Sequence, residues 1–337
     1  MPSVSELQMT YLADMFTPVT LTESILALQP PPAIIGDMGI FGEKGVKSPD
    51  VYLAKHMGHL RLVPDTPRNA PGVWTPPRDA IERALRTAHL AESRTISADD
   101  LSVNPSVIVG GEAEQQAAVI NDAMEEMLKN LQATQEYHRA GALRGVVMDA
   151  SGTELLNLFD EFQVSRHQKT FDFSNPDLNV RKDCIDIKRL IESELLNASV
   201  VIRGVHCFCG PDFFDALVDH PNVQKAYQGY LEAEEKRAGD LRDGFKYGGV
   251  VFQEYNATVS GKKFFPDNGA AFFPRADGVY MNFYAPADWV ETVGELGVAR
   301  YARGEAMKMG RGWEIEAQSN PLTLCMYPGA LVEGTVS

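Results

Sequence analysis

The C-terminal end of the chain shows an alternation of hydrophobic and polar positions. From Trp313 to Gln318, the apolar residues Trp, Ile and Ala alternate with Glu, Glu and Gln. This period of two predicts a strand with one buried face and one solvated face. After Pro321, a second run of the same kind continues to the turn signal Pro328-Gly329. The pattern indicates two closing strands that complete a sheet.

The clearest helical pattern lies at residues 112–138. Apolar residues recur there at helical spacing, namely Ile120, Met124, Met127, Leu128 and Leu131. Such spacing places them in a single stripe on one side of a helix. About 26 helical residues would span ~39 Å, which is long for a globular domain. We therefore predict one long helix with one buried face.

Shorter patterns account for most of the remaining chain. A turn signal at 149–152 between two apolar runs predicts a hairpin over 143–159. Residues 84–93 are compatible with either a helical turn or a returning strand. Further elements are predicted as helices at 178–197 and 211–219, and as strands at 51–63, 199–207, 249–255, 269–274 and 279–284. Together these elements indicate an α+β fold.

Two segments are too rich in proline for regular structure. Residues 1–36 contain Gln29-Pro-Pro-Pro32, which favours extended backbone, and they bury too little to form a domain by themselves. Residues 64–77 hold five prolines, and proline cannot donate a hydrogen bond to a strand ladder. We predict an N-terminal arm at 1–36 and an extended loop that includes 64–77.

Composition narrows the possible functions. The 337 residues carry a formal net charge of −15. This charge argues against a protein that binds nucleic acid by neutralising its phosphates. No apolar run approaches the roughly 18–20 residues of a membrane helix, and no signal peptide is evident. Cys207-Phe-Cys209 follows His206 but lacks the doubled C-x-x-C spacing typical of structural zinc sites. We interpret Cys207 and Cys209 as small core residues of a strand.

No catalytic constellation emerges from the residues. The motifs G-x-S-x-G, H-E-x-x-H and G-x-G-x-x-G do not occur. His56 and His59 would face opposite sides of a strand. Scattered aspartates at 172–186 could supply a carboxylate pair, so a carboxylate-based hydrolase stays open as the least favoured alternative. We predict that the chain is not an enzyme and has no catalytic, cofactor-binding or metal-binding residues.

Several motifs occur in an order that resembles a known family. In chain order they are Val205–Leu217, Tyr247–Tyr255, Gly261–Asn268, Gly269–Phe273 and Trp313–Val336. They form a strand followed by Pro and an aromatic helix, a glycine-led strand, the sequence Gly-Lys-Lys-Phe-Phe-Pro-Asp-Asn, an apolar strand, and the closing runs. This order is similar to that of the major capsid proteins of lambda-type tailed bacteriophages, the phage major capsid protein E family. The resemblance covers residues 175–337 well and residues 1–175 by layout only.

The resemblance implies an HK97-like capsid fold and a structural role. That fold has an N-terminal arm, an extended loop (E-loop) region, a peripheral domain with a long spine helix, an axial domain, and strands that return to the peripheral domain. The corresponding ranges are 1–36, 37–105, 106–174 with the spine helix at 112–138, 175–305, and 306–337. The implied function is that of a major capsid protein whose hexamers and pentamers form an icosahedral shell around double-stranded phage DNA.

The same resemblance implies partners and a location. The chain would bind other copies of itself, with portal, scaffolding and decoration proteins as further partners, and would not bind a membrane or read a DNA sequence. Its arm would reach across neighbouring subunits. It would assemble in the host bacterial cytoplasm and remain in the virion, and no cofactor is implied. An encapsulin-like nanocompartment shell shares the fold and is the main alternative.

The distribution of charge predicts where subunits meet. Residues 44–94 carry nine basic and five acidic residues, a net +4, whereas residues 112–139 carry a net −4. These opposite charges would face each other if the loop of one subunit lies over the spine helix of the next. The predicted contacts join Lys55, Arg61, Trp74, Arg83 and Arg86 of one subunit to Glu125, Glu126 and Glu136 of a neighbour.

Overall fold

The computed structural model describes most of the chain. The described residues are 21–22, 25–26, 33–56, 80–103, 112–196, 200–224, 226–228 and 244–337. The predicted loop segment 64–77, together with Arg61 and Trp74, lies outside them. For Lys55 the backbone alone is described.

The described residues contain six labelled helices. They are α1 (Ile34–Asp37), α2 (Ala98–Val103), α3 (Glu112–Arg144), α4 (Leu158–Phe162), α5 (Val180–Leu196) and α6 (Pro211–Asp219). Three short 3-10 turns occur at Val290–Thr292, Lys308–Gly310 and Pro328–Ala330. No helix in the described ranges is long and apolar enough to cross a membrane.

Three sheets and three hairpins contain the strands. One sheet has the order β7-β18-β13-β8-β10-β9, the second β15-β16-β4 and the third β1-β14-β17. The strands are β1 (Phe41–Gly45), β2 (Asp50–His56), β3 (Ala80–Arg86), β4 (Leu90–Ser97), β5 (Val146–Met148), β6 (Glu154–Asn157), β7 (His167–Phe171), β8 (Ile202–Cys209), β9 (Phe245–Tyr247), β10 (Val250–Glu254), β11 (Thr258–Val259), β12 (Lys262–Lys263), β13 (Gly269–Ala276), β14 (Tyr280–Tyr284), β15 (Tyr301–Ala306), β16 (Gly312–Ser319), β17 (Pro321–Cys325) and β18 (Val332–Val336). The pairs β2-β3, β5-β6 and β11-β12 form the hairpins.

The long helix is confirmed and extends further than predicted. α3 has 33 residues, about 50 Å at 1.5 Å per residue. Ile120, Met124 and Leu128 are buried along its predicted face. The helix ends at Arg144, and the next residue, Gly145, has a φ of 85°. A side chain at Gly145 would meet the ring of Phe159 at 2.3 Å. α3 contacts strands of all three sheets, so it is the element around which they are arranged.

The predicted alternation in β16 is confirmed, with one exception. Trp313, Ile315 and Ala317 are buried against α3, and Glu314 is exposed. Gln318, predicted to be solvated, is 1% exposed, and its side-chain amide donates a hydrogen bond to Asp288 at 2.6 Å. The ambiguous segment 84–93 is a returning strand, since it is divided between β3 and β4.

The closing part of the chain differs from the prediction. A third strand, β18, follows the two predicted ones and pairs with β13 on one side and β7 on the other. Within the predicted return segment 306–337, β18 therefore links β7 of the range 106–174 to β13 of the range 175–305 in the six-stranded sheet. Its five residues have no clear alternation, and its partners are distant in sequence, so no local pattern identifies it.

The six-stranded sheet is held by an aromatic core. Phe272 of β13 lies within 6.5 Å of the rings of Phe171, Phe213 and Phe252. Four such rings exclude water over a large apolar area. Cys207 and Cys209 are fully buried in β8, which confirms that they are core residues. Burial raises the pKa of the Cys207 thiol well above its ordinary value.

The described part of the arm packs on its own subunit. Leu21 and Ile25 are buried in the cluster formed by α3 and β16. The Thr22 hydroxyl donates to the Ala302 carbonyl at 3.1 Å and accepts from the Ala302 amide at 3.2 Å. The Thr22 hydroxyl is thus hydrogen-bonded to both the amide and the carbonyl of Ala302, at the edge of β15. The residues that precede Leu21 lie outside the described part of the chain.

Candidate assembly surface

The basic residues of the predicted contact lie on the ribbon formed by β2 and β3. Arg83 and Arg86 belong to β3, and Arg86 is exposed. Arg83 already has a partner within the subunit, since its Nη1 lies 3.5 Å from Oε2 of Glu161. Both side chains of this pair remain partly exposed, so the bridge is weak and can exchange for another carboxylate.

The acidic residues Glu125 and Glu126 lie on the solvent face of α3. Glu125 pairs with Lys129 of the next turn at 2.8 Å, and Glu126 pairs with Arg94 of β4. More than 45% of each of these side chains is exposed. Exposed pairs of this kind contribute about 0–1 kcal/mol each. Both glutamates are therefore available to a basic partner.

Glu126 lines a groove between β4, α2 and α3. The groove encloses about 420 Å³ and has an acidic rim and an apolar floor. Its rim residues are Arg94, Asp100, Asp122 and Glu126, and its floor residues are Ile96, Val119 and Ala123. Hydrogen bonds from Ser97, first from its hydroxyl, hold the pKa of Asp100 below its ordinary value. The groove thus offers fixed negative charge beside a strip of apolar surface.

Glu136, one of the predicted inter-subunit contacts, is buried within its own subunit. Its side chain is 6% exposed. The carboxylate accepts hydrogen bonds from the amides of Ile35 at 2.6 Å and Gly36 at 3.1 Å, and from the Tyr255 hydroxyl at 3.0 Å. A charge held by three internal donors cannot reach a neighbour without losing all of them.

The Glu136 carboxylate joins three parts of the fold. It connects α3 to α1, at the root of the arm, and to Tyr255, which follows β10. Arg139 of α3 extends this network, because it lies 3.4 Å from Glu136 and 3.7 Å from Glu43 of β1. Burial, together with the Glu136 charge, raises the pKa of Tyr255, so that its hydroxyl stays a donor. The network positions the arm root and the six-stranded sheet on the spine helix.

A buried histidine lies on the opposite side of α3. His138 is 1% exposed and lines a cleft of about 230 Å³ together with Arg86 and Thr323. Its Nε2 atom has no hydrogen-bond partner among the described residues. Burial lowers the pKa of His138 to about 4, although the Asp149 charge opposes this shift.

We expect His138 to make stability depend on pH between about 6.5 and 4. The unfolded chain takes up this proton near pH 6.5 and the folded chain only near 4, so stability falls as the pH falls through this window. This difference between the two pKa values lowers the free energy of unfolding by about 3 kcal/mol once the pH is below 4. His138→Leu should remove this contribution, measured by urea unfolding at pH 7 and pH 4.5. Equal losses in wild type and variant over that interval would contradict the expectation.

Comparison with known proteins agrees with this architecture. The family described as phage major capsid protein E matches residues 17–336. The chain belongs to this family. The major capsid protein of Pseudomonas phage KPP10 is 25% identical, over 96% of this chain and 97% of the relative. That of Salmonella phage Felix O1 is also 25% identical, over 73% of this chain and 75% of the relative.

Solved structures agree on the fold. The putative capsid protein of a prophage from E. coli CFT073 has a TM-score of 0.59 at 10% identity, over 93% of this chain and 95% of that one. The capsid of Myoviridae phage XM1 has a TM-score of 0.51 at 9% identity, over 92% and 94%. The HK97-like α+β fold and the role of a phage capsid protein are thereby confirmed. An encapsulin-like shell is not favoured.

Sequence reasoning missed two members of the candidate surface. Asp100 and Asp122 line the groove but were not among the predicted contacts. Asp122 and Glu126 are four residues apart, as are Val119 and Ala123, so a helical projection would have placed both pairs on neighbouring faces of α3. Asp100 carries no such signal, because α2 and β4 bring it to the groove through the tertiary structure.

Proposed function

We propose that this chain assembles into hexamers and pentamers that close an icosahedral shell around double-stranded phage DNA. The match of the capsid family to residues 17–336 is the observation that carries the proposal. Portal, scaffolding and decoration proteins would complete the head in the host cytoplasm, and the chain would remain in the virion. Within each subunit, we propose a peripheral domain at 106–174, an axial domain at 175–305 and return strands at 306–337, and the pairing of β18 with β7 supports this return.

Electron microscopy of the purified protein tests the proposal directly. We expect closed shells or ring-shaped capsomers in negative stain, and a mass of at least five subunits by light scattering. A chain that stays monomeric at high concentration, with residues 1–79 intact, would contradict the proposal.

We further propose that the β2–β3 ribbon of one subunit docks on the acidic groove of the next. The ribbon contributes Lys55, Arg83 and Arg86, and the extended loop contributes Arg61 and Trp74. The acidic side is Asp100, Asp122, Glu125 and Glu126, without Glu136. Contacts of this kind determine encounter rate and register more than affinity.

Charge reversal tests this docking. Arg83→Glu with Arg86→Glu should slow assembly at low salt by roughly tenfold or more, because attraction between subunits becomes repulsion. Adding Glu125→Lys and Glu126→Lys should restore part of the rate, measured by light scattering. Glu161→Gln is the matched control, since it removes the internal partner of Arg83 and leaves the ribbon charge intact. Wild-type assembly of the doubly reversed ribbon at low salt would refute the docking.

A further inference from the structure

A polar cleft lies at the edge of the six-stranded sheet, far in sequence from the acidic groove. It encloses about 540 Å³ between α5 and the hairpin of β9 and β10. Its polar lining comes from Arg181, Asn222, Lys246, Tyr247 and the glycine pair 248–249. Nothing in the proposed shell contacts accounts for this cleft.

The hairpin geometry brings the lining residues together. Gly248 and Gly249 have φ values of 59° and 87°, as a two-residue type I′ turn requires, and Tyr247 pairs directly with Val250. A Cβ on Gly248 would lie 2.6 Å from the Cβ of Cys184 in α5. The turn is therefore pressed against the helix, which places Lys246 and Tyr247 beside Arg181.

Hydrogen bonds hold the floor of the cleft. The Tyr247 hydroxyl donates to the Asn222 carbonyl at 3.0 Å, and the Asn222 amide donates to the Leu178 carbonyl at 2.9 Å. A side-chain amide has two N–H donors, so the second N–H of Asn222 is available to a ligand. These bonds also fix Tyr247 and Asn222 without using the two cations.

Within the described ranges, the two cations have no carboxylate partner. No Asp or Glu among the described residues lies within 4.0 Å of Arg181 or Lys246, whereas the nearby Lys188 and Arg189 pair with Glu192 and Asp186. Both cations are exposed, and the lining of the cleft that they share contains no acidic residue. Their mutual repulsion is relieved when an anion binds between them.

We propose that this cleft binds a phosphate group. Arg181 would contact two phosphate oxygens with its planar guanidinium, and Lys246 would add a point charge. The volume of the cleft admits the ester substituents of a phosphodiester as well as free phosphate. The backbone of packaged DNA is the source that follows from the proposed function, and inorganic phosphate is the other source of the same chemistry.

The test compares two double variants of the full-length protein. Arg181→Gln with Lys246→Gln removes both cations of the cleft, and Lys182→Gln with Arg189→Gln removes the same charge from exposed positions of α5 outside the cleft. Inorganic phosphate, against chloride of equal ionic strength, should raise the melting temperature of wild type and control by roughly 2 °C, and should not raise that of the cleft variant. If the double variant does not fold, the single variant Lys246→Gln replaces it in the same comparison.

Duplex DNA distinguishes the two sources. Fluorescence anisotropy with a short duplex should show that the cleft variant loses about one to two phosphate contacts, seen as a smaller slope of log K against log salt. Loss of the phosphate effect with unchanged DNA binding assigns the site to free phosphate. No difference between the two variants overturns the proposal.

Shell assembly is measured in parallel to keep the two proposals separate. If the cleft variant fails to form shells but still responds to phosphate, the cations bind a carboxylate of a second copy, and the phosphate site is refuted. If wild type forms no shells yet the phosphate effect is specific to the cleft, the proposed function fails and the phosphate site stands.

Discussion

Glu136→Ala should lower the free energy of unfolding by about 3–5 kcal/mol. The substitution leaves the buried Ile35 amide, the half-buried Gly36 amide and the Tyr255 hydroxyl without their acceptor. It also removes the nearest carboxylate from Arg139, whose side chain is 14% exposed. Urea unfolding at neutral pH measures the effect.

Glu125→Ala is the matched control for this prediction. It removes a glutamate from the same helix, but from an exposed i, i+4 pair with Lys129 that contributes about 0.3–0.5 kcal/mol. The loss of free energy of unfolding in Glu136→Gln should lie between those of Glu136→Ala and Glu125→Ala, because the glutamine amide keeps one acceptor oxygen but has no charge. Equal losses for Glu136→Ala and Glu125→Ala would show that the network does not stabilise the fold.

The Glu136 variants should also release the root of the arm. α1 is held on α3 by the two amide bonds to Glu136, so cleavage by a protease near residues 33–37 should become faster in Glu136→Ala than in Glu125→Ala. Because the arm of a capsid subunit is expected to contact its neighbours, we also expect fewer shells at equal protein concentration.

Replacing residues 57–79 by Asn-Gly should abolish shell formation and leave the subunit folded. His56 and Ala80 are directly paired across β2 and β3, so a two-residue turn can close the ribbon in its native register. Shortening a surface loop changes stability by about 1 kcal/mol or less. The deleted segment carries Arg61 and Trp74, which we propose as contacts with the next subunit.

A Gly/Ser segment of the same 23-residue length is the control for this deletion (57–79 inclusive). It keeps the reach of the loop but lacks its prolines and Trp74, so failure of both variants would assign assembly to the loop's own residues. Thermal melting and negative-stain microscopy are the two measurements. Loss of cooperative melting would place residues 57–79 in the core, and normal shells would exclude the loop from assembly.

Local sequence patterns predicted those elements whose burial depends on their own periodicity. The stripe from Ile120 to Leu131 predicted α3, and α6 begins at Pro211 as predicted, because proline suits the first turn of a helix. Alternation predicted the buried face of β16. The order of the motifs predicted the capsid family. For the helices and for β16, neighbouring residues carry the whole signal, whereas the family is indicated by the order of such local motifs along the chain.

Residue pairs distant in the chain decided the rest. Nothing near Val332 shows that β18 pairs with β13 and β7, since those strands lie some 60 and 160 residues upstream. Glu136 and Glu125 look alike in the sequence, and both are glutamates of one amphipathic helix. Only the placement of Ile35, Gly36 and Tyr255 makes Glu136 a buried acceptor, while Glu125 stays solvated.

The sequence by itself therefore determined the family, the spine helix and the alternating strands, because these depend on spacing along the chain. The tertiary structure decided which charges are exposed, where the last strand pairs, and how Arg181 and Lys246 come to face one cleft. The physical reason is that a charged side chain or an unpaired strand edge interacts with whichever partner the fold brings close to it. Pairing between residues distant in the chain produces no periodic pattern in the sequence of either partner.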